Sequence, residues 1–193
     1  VTLDAGSTGD ITLSNALIAT DAEITGADDV TLSAMQLSNT LIIKQANSVS
    51  LTGESFIDGP VSIEAGGINA ISASVFQAVA HIDLKSDGVV SLAGPFVGGS
   101  ITFTGPGANT HDPATFDVSG NLSAGSGALT IEGNTFVNLA DFLVGSLDIG
   151  VQQTATFLGL GAVENTMEVR ADGIRIAGVT VAAGDTIVRA SKE

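Results

Sequence analysis

A chain of 193 residues with 21 acidic and 6 basic residues, a formal charge of −15, two His and no Cys is long enough for one domain with a real core, or at most two. The charge disfavours phosphate backbones and anionic lipid surfaces, and the missing residues exclude disulfide, thiolate and multi-His metal chemistry. Apolar residues and Gly together make up roughly 57% (44% plus 24 of 193), above the ~45–50% usual for soluble domains, which also excludes disorder.

Short segments of alternating apolar and polar residues begin at Val1, Ala22, Leu41, Val61, Ile82, Ile101, Leu129, Leu147, Met167 and Thr186, at spacings of 21, 19, 20, 21, 19, 28, 18, 20 and 19. Taken along the chain they include "LIIK", "VSIE", "IDLK", "ITFT", "LTIE", "LDIG" and "MEVR". Their period of two predicts strands, each broken by Gly, Asn, Asp or Ser. A second strand follows some eight to ten residues into many units, as "ITLS", "VTLS", "VSLT", "VSLA" and "IRIA". A third apolar patch, "MQL", "SFI" or "PFV", closes several of them. Gly interrupts nearly every stretch, so no long helix is expected, and "LADFLV" at 139–144 has room for one turn at most.

Three strands in about twenty residues, repeated at a fixed period, predict an all-β fold: a single right-handed parallel β-helix (β-solenoid) of about 9–10 coils. Residues 1–193 form one domain in this reading, with a loop inserted at about 105–115. Like positions then stack at ~4.8 Å. Val30-Thr-Leu-Ser recurs as Val49-Ser-Leu-Thr because Val30 and Val49, and Leu32 and Leu51, are vertical neighbours. Leu32, Leu51, Ile63, Leu84, Leu92, Phe103, Ile131, Ile149 and Val169 are expected to point inward. The competing architecture is a β-sandwich, whose strands recur at ~8–12 residues.

Units such as "GDITLSNALIATDAEITGADDVTLS" and "NSVSLTGESFIDGPVSIEAGG" resemble the repeats of filamentous-haemagglutinin-like exoproteins, large bacterial adhesins secreted by the two-partner route. The likeness covers residues 1 to about 190. It implies a right-handed β-helix, export from a bacterium to the cell surface or the extracellular space, and a role in adhesion or surface structure.

Catalysis is not expected. The chain has no GxSxG, HExxH, Walker loop or DxDxDG calcium loop, and no Trp or Tyr to stack on sugars beside a carboxylate cluster. No cofactor is expected beyond weak Ca2+ binding at acidic turns such as Asp4, Asp21, Asp28, Asp29, Asp58, Asp87 and Asp172, where Asp is also ordinary turn chemistry. The 28-residue interval from Ile101 holds "GPGANTHDPATFD". It reads as a loop extruded from the stack, with Asn109, His111, Asp112 and Asp117 as candidate contacts for a partner or cation. A hydroxyl ladder of Thr12, Ser14, Thr31, Ser33, Ser50, Thr52, Ser72, Ser74 and Ser91 is expected on the second strands, a surface suited to ice or a glycan and equally to ordinary stacked hydroxyls.

No apolar run approaches the ~18–20 residues of a membrane span, and Val1 lacks a charged leader region. A processed chain, or one cut from something longer, is expected. "VTLDAG" begins inside the repeat and "GDTIVRASKE" leaves it only at the last residues. The edges Val1, Thr2 and Leu3 at one end and Thr186, Ile187 and Val188 at the other are therefore expected to pair. The resulting self-association is a head-to-tail homopolymer, with a host or neighbouring-cell ligand as a further partner and neither nucleic acid nor membrane insertion involved.

Overall fold

The computed structural model describes residues 1–70, 75–105, 115–181 and 184–191. Among them the regular elements are all strands, 21 in one continuous sheet. No helix there is long and apolar enough to cross a membrane.

The ladders are parallel, and each strand bonds to its counterpart about twenty residues away. Ala22, Leu41, Val61, Ile82, Ile101, Leu129, Leu147, Met167 and Thr186 share one register column. Thr2 opposite Glu23 places Val1 in the same column. The ten predicted unit starts are thus ten levels of one β-solenoid, bounding nine complete coils.

Each coil has three strand positions. Ala22–Leu37 shows all three in one run: it pairs with Leu41–Leu51 from Ala22↔Leu41 to Leu32↔Leu51, and then with Ser55–Ile57 through Met35↔Ser55. The repeated phrase is explained by Val30↔Val49, Thr31↔Ser50 and Leu32↔Leu51. Across the long interval the register holds on both sides. Ser100–Thr104 pairs with the coils before and after it, and so does Thr115–Val118.

A period of two in a strand sends alternate side chains to opposite faces, and the burial follows it. Leu32, Leu51, Ile63, Leu84, Leu92, Phe103, Ile131, Ile149 and Val169 are all buried, within one continuous cluster from Ile11 to Ala171. Through the first coils the core is chiefly Ile, Leu, Val, Ala and Met, and from Phe76 onward rings enter it. The Phe76 and Phe96 centroids lie 4.8 Å apart at an interplanar angle of 8°, so the stacking distance of the rings is the spacing of the strands. Phe103 stacks on Phe116 at 5.5 Å, and Phe157 meets Phe136 at 5.3 Å and Phe142 at 5.8 Å.

The corners are tight enough to require Gly. A Cβ on Gly53 would strike the carbonyl oxygen of Ser33, and one on Gly159 that of Ala140, each in the coil before. "LADFLV" contributes a short strand, Phe142–Val144, facing Gly161–Val163. The Phe142 ring occupies the space that a side chain at Gly161 would fill.

Candidate functional site

The hydroxyl ladder is shorter than its expected form. Its register column runs Thr12, Thr31, Ser50, Asn69, Ser91, Asp117, Val137, Thr156 and Arg175. Asn69 stands opposite Ser50, where Ser72 was expected, while Ser72 and Ser74 lie outside the described residues. Thr52 sits past the strand end at Leu51, and its Oγ1 donates to Leu32 O at 3.4 Å. Ser14 falls within the register shift between Leu13 and Ala16. Ser33 Oγ is buried without a hydrogen-bond partner. The column is thus hydroxyl at Thr12, Thr31 and Ser50, and past Asn69 it holds Ser91, Asp117, Val137, Thr156 and Arg175.

The candidate contacts Asn109, His111 and Asp112 lie outside the described residues. Asp117 belongs instead to the Thr115–Val118 strand, where it is exposed between Ser91 and Val137.

The acidic side chains bond neighbouring side chains and backbone N–H groups, and Asp28 and Asp29, expected at a turn, lie within the Ala22–Leu37 strand. Asp21 Oδ1 accepts hydrogen bonds from Asn39 Nδ2 at 2.8 Å, Thr40 Oγ1 at 2.8 Å and Thr40 N at 3.3 Å. The Thr40 hydroxyl above all holds this carboxyl below its ordinary value of 3.8. Asp4 Oδ1 accepts from Gly6 N at 2.9 Å, and Asp29 Oδ1 from Ser48 Oγ at 2.6 Å. No group of three or more acidic or His side chains able to hold a metal ion occurs among the described residues.

The outward column of the first strands carries ion pairs between coils. Lys85 Nζ meets Glu64 at 2.9 Å, and the Glu64 carboxylate holds the ammonium above its ordinary pKa. Arg170 bonds Asp148 of the coil before at 3.0 Å and meets Glu168 of its own strand at 3.4 Å. All these groups are about half exposed or a third exposed, so each pair is worth little for stability.

At the two end coils the apolar column is open. Leu3, Leu13, Leu17 and Ala19 at one end, and Ile174, Val179 and Val181 at the other, are only partly buried against the core. Thr186–Ala190 pairs with Met167–Ala171 on one side and is exposed throughout. Charge is distributed unevenly between these ends. Residues 1–43 hold six acidic side chains and no Lys or Arg, whereas four of the six basic residues lie between 170 and 193.

A further surface had no signal in the repeat pattern. Seven of the eight Phe are buried and Phe56 is 44% exposed. It lies in the outward column of the third strands, Ile18, Gln36, Phe56 and Gln77, beside an open-sided slot of about 530 Å3. Only after the register is known does it become apparent that Ile18 and Phe56 flank Gln36.

These features define a parallel β-solenoid repeat protein. Comparison of the chain with protein-family models, with curated proteins and with solved structures finds no match.

Proposed function

We propose that the chain is an extracellular structural or adhesive element, exported from a bacterium, of the kind its repeats resemble in filamentous-haemagglutinin-like exoproteins. In this reading it extends end to end through further coils in the same register and has no catalytic role. The observation that carries it is the pair of open end coils. Each leaves inward apolar residues half covered, and one more coil in register would cover them and satisfy the free strand edge.

The occupant we assign is a second copy of this chain, and the unequal charges at the two ends favour head-to-tail contact. Such an interface is heterologous, so it propagates instead of closing. In this reading the seam follows the register. Val1–Leu3 and Thr186–Val188 are equivalent positions of the first strand. If Ile11–Ala19 of the next copy continues the coil over Gly173–Val181, Thr186–Ala190 already fills the first-strand position below Ala22–Thr25 of that copy. The short Thr2–Leu3 strand of that copy then gives way to the longer Thr186–Ala190 strand. The same register could be continued by further coils in one longer adhesin chain, so the decisive sample is the 193-residue chain alone.

Electron microscopy of that purified chain is expected to show unbranched filaments. Dispersed monomers at high concentration would overturn the assignment to a second copy.

A further inference from the structure

The third strands build one flank of the rod, and two outward columns run along it. In one, apolar Ile18, Phe56, Val97 and Leu143 alternate coil by coil with polar Gln36, Gln77 and Ser123, and Ala162 follows Leu143. The adjoining column lies two residues earlier in each coil. It begins with Ala16 opposite Ala34 and continues from Glu54 to Leu160 through residues whose carbonyls accept the first third-strand N–H of the coil before. Ile18 is 73% exposed and Leu160 68%. Neither column holds a Lys or Arg, whereas the outward face of the first strands carries Lys44, Lys85, Arg170 and Arg189. An apolar strip of this extent on a flank is a surface suited to another protein.

The order of residues makes the strip complementary to itself. A second copy can lie against it face to face and antiparallel, with the two-fold axis between the coils of Gln77 and Val97. Ile18 then faces Ala162 of the other copy, Phe56 faces Ser123, and Leu160 faces Ala16, so each of these bulky side chains meets a small one. Gln36 faces Leu143, Gln77 faces Val97 and Val75 faces Pro95. Carboxylates stay apart, because Glu54 faces Asn121 and Asp141 faces Ala34. A parallel two-fold arrangement sets Phe56 on Phe56 and Glu54 opposite Asp58. Sliding the antiparallel copy by one coil brings Phe56 against Val97 or against Leu143, and in the second case Glu54 against Asp141.

We propose that this flank is a lateral interface at which two copies of the chain pair antiparallel in that register. The contact is isologous and closes on itself, so it is independent of end-to-end assembly and leaves both end coils free. Eight coils at ~4.8 Å and two columns of side chains give a strip of roughly 34 by 13 Å, on the order of 450 Å2 in projection per copy. Accessible area exceeds projected area, so the pair reaches the ~1,000 Å2 that a specific contact needs. The charge of −15 on each copy opposes pairing, and salt should therefore strengthen it.

Sedimentation velocity tests this on the chain carrying Val188→Pro, which blocks the end-to-end edge and makes the result independent of whether the parent forms filaments. A discrete species of twice 19.2 kDa is expected, and its dissociation constant should fall severalfold between ~0.05 and ~0.5 M salt. Ser123→Phe adds apolar surface but collides with Phe56 of the other copy, twice in each pair, so the dissociation constant should rise about tenfold or more. Ala162→Phe, which meets Ile18, should act alike. Nonspecific apolar association predicts the reverse for both. Exchanging the residues in Phe56→Ser/Ser123→Phe should restore the pair. Melting followed by circular dichroism should match the parent in every variant, because these side chains point outward. Monomer alone at ~0.5 mM, or pairing undiminished in both Ser123→Phe and Ala162→Phe, would overturn the proposal.

Discussion

Single residues in a solenoid are judged by the column they occupy. Leu51 is 4% exposed and stacks on Leu32, whereas its neighbour Ser50 belongs to the outward column. Leu51→Asp buries a charge with no partner and should leave the chain unfolded, while Ser50→Asp should fold normally. Circular dichroism of the pair checks the register directly. Glycines divide in the same way. A methyl at Gly53 runs into the Ser33 carbonyl, but one at Gly67 meets only Val89 O at 3.7 Å. Gly53→Ala should cost about 1–3 kcal/mol or more by overpacking, and Gly67→Ala should be near neutral, as read from denaturant midpoints. For Asp21 the folded pKa is depressed by the Thr40 and Asn39 hydrogen bonds. Its contribution is therefore present above the ordinary value of 3.8 and lost as pH falls through the lower folded value. The melting difference between the parent and Asp21→Ala should be small at neutral pH and close in acid.

At the level of elements, sequence alone was sufficient wherever the physics is periodic. Alternation marks which side chains enter the core, and spacing marks the coil, so all ten unit starts fall in one column. What escaped was variation within a coil. The backbone shifts register near Leu13, Ile43 and Gly133, with Gln45 at a φ of 59°. Past such a shift the partner of Ser50 is Asn69 and not Ser72. Phe56 escaped for another reason: an aromatic residue in a strand reads as core until its neighbours set its face. The 28-residue interval was legible as an interruption, and the flanking registers say what removing it should do. Three residues separate Glu132 from Phe136, and eleven separate Thr104 from Phe116, the partners in those same columns. Deleting 106–113 leaves three, and the spacing from Ile101 to Leu129 becomes 28 − 8 = 20. The deletion variant should retain its β-sheet spectrum and cooperative melting. Loss of that signal would make the insertion part of the stack.

For the whole molecule the proposed head-to-tail assembly turns on the seam between copies. Hydrogen-bond direction alternates along the first strand. Met167 N donates forward to Asp185 O, whereas Glu23 N donates back to Val1 O and Ser191 N back to Ala171 O. Thr186 shares the column of Met167, so Val188, two residues on, also directs its N–H forward, away from the coil it packs on. Val188→Pro removes that donor without breaking a bond inside the chain, the edge position at which Pro is tolerated. The variant should melt like the parent and form no filaments. The axial repeat then reports which seam forms. If Thr186–Ala190 takes the first-strand position of the next copy, nine rises of ~4.8 Å give a repeat of roughly 43 Å. If Val1–Leu3 instead rests directly on Thr186–Val188, ten rises give roughly 48 Å and leave second- and third-strand positions empty at every joint. Removing residues 1–5 separates the two cases. A yielding Thr2–Leu3 strand is dispensable, so filaments should persist at the shorter repeat and form at least as fast. Loss of filaments on that deletion would mean that this strand is itself the contact.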